Sequence, residues 1–401
     1  MSGTKSSILI LGAGVYQVPA IKKAKLLGYN AIVLSYNVHE YPGYSLADIA
    51  IEADTTDIDK VVSIAKEYKI LGVFTTGTDV ALPALGKVND ELGLTGPSFE
   101  SCLLSTNKIL MKEAFERNHV PASEFKIVYT LREAKKAAGL IGYPVMVKAT
   151  RSSGSRGISK AESSHELNEA WNYAKQYSNE GDGILVEEFL QGTEFGAQAF
   201  IYDNEIKLVC PHNDTVTRPP YCTPIGHSYP FSSLNPDEIG QIKSVCKRGI
   251  QSLRMNNCAV NIDLIKTEEG IKVLEIGARM GATCCPELTE VYTGIDVTKE
   301  CINMAMGHVP DFSVRGHQPV AALLLRSPQT GTLKKIYVPN DVTEDPDLIN
   351  ISFDVREGDH VNSFVIGPDR IGHIIVKGDS YHDAERKAEQ LENKIKIEVK
   401  V

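Results

Sequence analysis

Two short runs carry carboxylates at a spacing that could hold a cation. They read V-N-I-D-L-I over residues 260–265 and I-K-V-L-E-I-G over 271–277, joined by K-T-E-E-G. Both are rich in branched apolar residues and alternate in polarity, which predicts two strands. A three-residue loop, Glu268-Glu269-Gly270, with Gly270 left-handed, would pair Thr267 with Ile271 and set Asp263 opposite Glu275. Because side chains alternate along a strand, both carboxylates would face the same way, with Cβ atoms roughly 4.5–5.5 Å apart. Like charges so placed destabilise a sheet. A divalent cation reverses that, and carboxylates are the ligands Mg²⁺ uses when it also holds substrate phosphates. Arg279 follows in E-I-G-A-R-M-G-A and brings a planar fork that fits anionic oxygens. A solvated hairpin with one acid per strand would carry the same letters, so the pair must be weighed with the rest of the chain.

Other groups suit phosphate. Lys148 ends the apolar run P-V-M-V-K, where a buried ammonium needs an anionic partner. The next residues, A-T-R-S-S-G-S-R-G-I over 149–158, place Ser153, Gly154, Ser155 and Gly157 where backbone N–H groups could approach an anion, with Arg151 and Arg156 adding charge. The Walker pattern is absent, and a surface loop would look similar. Lys108 follows Asn107 near a helix start, where a surface lysine is the plain alternative. Glu187 and Glu188 end another apolar strand, Leu190 follows, and Glu194 comes after a glycine. Acids near strand ends are more often plain surface, so residue type is what singles these out.

Residues 210–233 hold five prolines and two histidines and show little regular pattern. A loop of that length in a compact domain is usually functional. With Met280–Pro286 it is expected to form the substrate pocket, and His212, Arg218, His227 and Tyr229 are its candidates for binding a carboxylate or an amine. Surface histidines are the plainer alternative. Cys284-Cys285 is expected to line the same pocket; adjacent cysteines bridge only with strain. The eight cysteines form no C-x-x-C pair and fit no zinc spacing, so they read as reduced intracellular thiols.

The elements that must position these groups follow from periodicity. Residues 6–100 alternate strand and helix, which predicts a doubly wound parallel sheet. Gly-Ala-Gly at 12–14 lacks the third glycine of a dinucleotide fingerprint, since position 17 is Gln, and no acid ends the second strand. Helices are expected over 106–118, 131–138, 164–177 and 236–254, with strands at 143–148, 183–188 and 197–202. The last ninety residues read as strands with one helix at 380–393. With 401 residues the chain has room for two or three domains. Its net charge of −9 and pI near 5.7 argue against a nucleic-acid or anionic-membrane partner. No apolar run nears the ~20 residues of a membrane span, and a cytoplasmic protein is expected.

In order, these motifs resemble the ATP-grasp superfamily: an alternating α/β domain, a helix carrying N-K, P-V-M-V-K before a Gly/Ser loop, V-E-E-F-L-x-G-x-E, then D-L-I…V-L-E-I-G-A-R. The arrangement is similar to the carboxylate–amine ligase branch, which includes L-amino-acid ligases, with a further similarity to biotin carboxylase. The resemblance implies α/β and α+β architecture. It implies an N-terminal domain over 1–104, an ATP-grasp domain over 105–310 with a mobile lid at about 120–195, and a β-rich C-terminal domain over 311–401. It implies ATP with Mg²⁺, or Mn²⁺ in its place, a small carboxylate and an amine as substrates, and a homodimer by analogy. Lys108 and Lys148 would contact the ATP phosphates under residues 151–158. Glu187, Glu188 and Leu190 would line the adenine, and Glu194 would hold the ribose. Asp263 and Glu275 would bind the metal, and Arg279 would stabilise charge on the reacting carboxyl. Many members carry Asn where this chain has Gly277, and water or Asn261, expected directly across the hairpin, would fill the gap. A phosphotransferase on a small metabolite and a nucleotide-binding protein with little turnover are the rival functions, with a dehydrogenase more distant.

Overall fold

Four short parallel strands open the chain, because each is an apolar run, and amphipathic helices that follow three of them return the chain across the sheet. The computed structural model describes residues 5–37, 40–150, 156–217, 223–232 and 235–401. The first unit runs β1 (Ser7–Leu11), α1 (Val18–Leu26), β2 (Asn30–Ser35), β3 (Ile49–Glu52), α2 (Ile58–Glu67), β4 (Gly72–Phe74) and α3 (Leu82–Leu92). The strand order is β3-β2-β1-β4, all parallel. Gln17 fills the turn at Gly12–Gly14, donating to the Thr76 carbonyl and accepting from the Gly14 N–H. A pyrophosphate would need the space that this side chain takes.

The helix expected at 106–118 is α5 (Lys108–Arg117), and a further helix, α4 (Phe99–Thr106), precedes it. Asn107 separates them, since its Oδ1 accepts the N–H groups of Ile109 and Leu110 and so caps α5. Next come β5 (Phe125–Val128), α6 (Leu131–Ile141), β6 (Val145–Ala149), β7 (Ile158–Ala161), α7 (Glu166–Gln176) and β8 (Ile184–Glu188). They form a separate sheet, β5-β8-β6-β7, with its own core around Val145, Val147, Trp171 and Val186.

The largest sheet is mainly built by β9 (Thr193–Tyr202), β10 (Glu205–Val216), β11 (Pro224–Tyr229), β12 (Cys258–Thr267) and β13 (Gly270–Gly277). Helix α8 (Pro236–Ser252) packs on it, and α9 (Cys285–Thr293) and α10 (Val297–Ala305) follow β13. The segment read as a long irregular loop at 210–233 is therefore mostly a hairpin, with 218–222 outside the described residues. The chain ends with β14 (Val320–Leu325), β15 (Gly331–Tyr337), α11 (Asn340–Thr343), β16 (Leu348–Phe353), β17 (His360–Val361), β18 (Gly372–Lys377), α12 (Tyr381–Glu392) and β19 (Lys396–Lys400). The strand expected at 362–367 is not formed. Its place is taken by short β17 and a 3₁₀ turn at Gly367–Asp369, while β16 is an additional strand. The large sheet has the order β13-β12-β9-β10-β11-β14-β18-β16, so hydrogen bonding runs unbroken from residues 193–277 into 320–377. Among the described residues no helix is long and apolar enough to cross a membrane.

Candidate active site

The two carboxylates that stood out in the sequence meet on the β12–β13 hairpin. Asp263 is paired with Glu275, and Asn261 with Gly277. The turn itself is one residue tighter than expected. Thr267 pairs with Gly270, not Ile271, and Gly270 has φ +121°. A bulge between Asp263 and Leu264 restores the register, because Val273 faces Leu264 while Glu275 faces Asp263. The acids thus meet through a tight turn and a compensating bulge.

Around them stand the cations. The Lys108 ammonium, almost enclosed, lies 2.9 Å from a Glu275 oxygen. Against the downward pull of burial, Glu275 and then Asp79 and Glu187 raise its pKa. Lys148 lies 3.1 Å from Glu187 Oε2, the anionic partner that its apolar strand required. Lys112 lies 3.2 Å from the same oxygen and donates to Ser123 Oγ, which in turn donates to Glu187. Burial would raise the Glu187 pKa, but Lys148 and Lys112 overcome it and hold the group at about 2. Lys112 moves down, because burial and the neighbouring Lys148 outweigh its share of that carboxylate. Two ammonium groups sharing one carboxylate leave this wall of the cleft with positive charge to spare.

Glu187 therefore anchors lysines with its side chain, while its backbone sits in β8 between β5 and β6. Glu188 is engaged twice with Glu124, donating from its N–H to the carbonyl and accepting the Glu124 N–H on its carboxylate. Leu190 is buried in the connection to β9, and Glu194 is exposed at the start of that strand. Concave surroundings, with Asp214 near, raise the Glu194 pKa. Gly157 ends the β6–β7 connection, its carbonyl accepting the Ala149 N–H. Ser153, Gly154, Ser155 and Arg151 lie outside the described residues, as does Arg218.

Arg279 is held by Asp79 from the first unit, with Nε to Oδ1 and Nη2 to Oδ2 both 2.9 Å. This bidentate pair, unseen in the sequence, covers Gly277. A Cβ at 277 would lie 2.8 Å from Asp79 Oδ1. The Asp79 carboxylate, about two hundred residues upstream, thus borders the gap ascribed to water or Asn261. Asn261 stands beside the carboxylate pair. Its Nδ2 donates to Asp263 Oδ1 and its Oδ1 accepts from Gln198 Nε2.

Asp263 sits at the floor of the cleft, where water reaches one side while protein surrounds the rest. Those surroundings, with Glu275 and Asp214, push its carboxyl up to about 6, against the pull of Arg279 and Asn261.

Two strands further across, the sheet carries a second polar group. Asp263 pairs with Gly196 on β9, and Gly196 with His212 on β10. Only glycine allows this, because a Cβ at 196 would lie 2.2 Å from the imidazole. His212 Nδ1 and His227 Nδ1 both contact Asp214 Oδ1, at 2.8 and 2.7 Å. Gln198 accepts the Gly281 N–H at 2.8 Å, so its amide nitrogen faces Asn261 and, at 3.4 Å, His212 Nε2. That ring nitrogen must accept, which places the His212 proton on Nδ1 facing Asp214. A polar chain thus runs from Asp214 through His212, Gln198 and Asn261 to Asp263. Both histidines hold Asp214 well below the usual carboxylate range, against its burial. The His227 pKa, lowered by burial alone, is carried to about 9 by Cys285 and Asp214. Tyr229 is fully enclosed behind the cluster, its hydroxyl 3.0 Å from Thr289 Oγ1, so it is not brought to the open cleft.

Asp79, Lys112, Ser123, Gln198 and Asp214 escaped the sequence reading. Lys112 carried a signal, an i+4 lysine after Lys108 on one helix face; the others depend on contacts across the fold.

Comparison with known proteins gives this cleft its family. Residues 106–311 match the family described as carbamoyl-phosphate synthase L chain, ATP binding domain, and residues 323–400 match L-amino acid ligase C-terminal domain 2. The crystal structure of phosphoribosylglycinamide synthetase from Anaerococcus prevotii is 32% identical with a TM-score of 0.84, covering 99% of this chain and 100% of that one. The L-arginine-specific L-amino acid ligase of Bacillus subtilis is 22% identical over 327 residues, 78% of each chain. The biotin carboxylase domain of Hydrogenobacter thermophilus 2-oxoglutarate carboxylase, solved with MgADP, has a TM-score of 0.81 at 20% identity, covering 99% and 92%. The chain belongs to the ATP-grasp superfamily, in its carboxylate–amine ligase branch. It is an ATP-dependent ligase that joins a small carboxylate to an amine through a C–N bond.

Proposed function

We propose that this ligase passes the terminal phosphoryl group of ATP to an amino-acid carboxylate and lets the amine of a second amino acid displace it. The observation that carries the reading is the Asp263–Glu275 pair, with Lys108 bonded to Glu275 and the Arg279 guanidinium close enough to act on both carboxylates. Two carboxylates facing one way, one of them held up to about 6 partly by the other's charge, fit a hard dication, Mg²⁺ or Mn²⁺. Bound there, the ion would draw negative charge off the phosphates.

The chain's own groups then divide the chemistry. Lys108 and Lys148 hold the phosphates, with Glu187 keeping Lys148 in place. Residues 151–158 cover the phosphates, Glu187, Glu188 and Leu190 border the adenine, and Glu194 takes the ribose. The substrate carboxylate attacks the terminal phosphorus in line and ADP leaves, giving an acyl phosphate. The amine attacks the carbonyl carbon, loses a proton, and phosphate departs. Arg279 stabilises the oxyanion formed on the way. The organic substrates lie between Arg279 and the His212–His227 side of the cleft, with Tyr229 supporting from behind, and Arg218 is a further candidate to bind their carboxylate. The same reading divides the chain at residues 104 and 310, with the lid at about 120–195.

The test is ADP release across amino acids, dipeptides and other small carboxylates, singly and in pairs, with products read by mass spectrometry. A pair that yields ADP, phosphate and a product equal in mass to both reactants less water is the expected result. A single compound that gains phosphate, with no amine consumed, would overturn it.

A further inference from the structure

Beside the carboxylate cradle lies a group of different chemistry. His212 on β10, His227 on β11 and Cys285 at the first turn of α9 each offer one donor atom, and these atoms lie within 4.8 Å of one another. All three residues are buried. One oxygen of Asp214 contacts Nδ1 of both rings, which commits those nitrogens and leaves Nε2 to a metal, which at His212 would take the place of the 3.4 Å contact from the Gln198 amide. Carboxylates that fix imidazoles through the far nitrogen are the usual outer layer of metal–histidine sites. Asp214 keeps a fifth of its side-chain surface, so the cluster opens toward the cleft through it.

We propose that His212, His227 and Cys285 form a second metal site, selective for a Zn²⁺-class cation, with Asp214 orienting both imidazoles. Imidazole and thiolate donors favour such a cation, whereas the all-carboxylate pair at Asp263 and Glu275 favours a hard one. The two sites can therefore be filled independently. Binding releases to solvent the thiol proton and the Nε2 proton of any imidazole that carries one, and involves no electron transfer. The thiolate and the Asp214 carboxylate together balance the dication's charge, which makes its burial tolerable. Zn–N bonds of about 2.0–2.1 Å and a Zn–S bond of about 2.3 Å require the donors to draw in by roughly 1 Å. Three protein ligands leave one position of a tetrahedron open, the pattern of zinc sites that meet a substrate or water. The sequence hid this group because its donors come from three separate elements.

The test uses full-length, chelator-dialysed protein without ATP or organic substrate, titrated with Zn²⁺ against a chromophoric chelator and, separately, with Co²⁺. One equivalent should bind more tightly than about 1 μM. The Co²⁺ form should show tetrahedral d–d absorption and a thiolate charge-transfer band. Cys285→Ser should remove that band and weaken Zn²⁺ binding at least tenfold to a hundredfold. His227→Gln should weaken it similarly, whereas Cys246→Ser, in buried helix α8, should leave it unchanged. Thermal melting of each metal-free variant checks its fold, and Cys285→Ala serves if the serine variant is unfolded. Absence of stoichiometric binding, or full binding by folded Cys285 variants, would overturn the proposal. No turnover is measured, so this result and the ligase assay fail or succeed separately.

Discussion

The β12–β13 and β10–β11 hairpins lie in one sheet and turn the same face to the cleft. Asp263 and Glu275 sit on strands that keep an apolar alternation, with Ile262, Leu264, Val273 and Ile276 fully buried on the opposite side. Along β10, His212 and Asp214 occupy the cleft face, and proline and asparagine interrupt the other. The first hairpin therefore declares itself by pattern. The second does not, because a strand whose inward face is polar loses the contrast that reveals strands. Functional sheets can thus be least legible where they carry most chemistry.

If the hairpins divide the work, with phosphates on one and organic substrates on the other, substitutions should separate them. The largest effect should come from Asp263→Asn or Glu275→Gln. Each should lower ADP formation by about 10³-fold with every substrate pair, as loss of several kcal/mol of charge stabilisation implies. An effect confined to one organic substrate would break the division.

Glu187→Gln comes next, because it leaves Lys112 and Lys148 without their carboxylate. Stability measured by denaturant should fall by about 3–5 kcal/mol, the cost of breaking a buried pair. In the parent protein the Glu187 pKa is below its ordinary 4.5, at about 2. Its contribution is therefore complete above pH 4.5 and disappears as pH falls from 4.5 toward 2. The variant should lack that acid-sensitive component.

Asp214→Asn should raise KM for an organic substrate by about 10–100-fold, the range for losing a hydrogen bond to a charged group, and leave KM for ATP unmoved. A shift in the ATP value would show that the polar chain through Gln198 and Asn261 couples the hairpins. Mg²⁺ affinity should fall by up to about tenfold per pH unit below 6, since Asp263 must lose its proton to bind. Isothermal titration between pH 5 and 7 measures this. Asp79→Asn should have the smallest effect, about tenfold on kcat, by loosening the clamp on Arg279. An unchanged kcat would show that Arg279 needs no help from the first unit.

Much of the scaffold could be read from the chain alone. Val-Leu-Ile runs with amphipathic helices between them specified the first sheet, and β3 and α3 fall where periodicity placed them. Asp263 opposite Glu275 was legible as well, although the turn was misjudged by one residue and a bulge compensated.

The sequence by itself determined most element types, the carboxylate pair and the lysine on its apolar strand, because periodicity and burial cost are local properties. Only the tertiary structure decided which anion met which cation. Lys148 needed a carboxylate, but its choice of Glu187, shared with Lys112, depends on β6 lying against β8. Gly277 left a space, but Asp79 borders it because the first unit packs over the hairpin. His212, His227 and Cys285 converge for the same reason: electrostatic partners are fixed by distance in space, and sequence separation carries no measure of that distance.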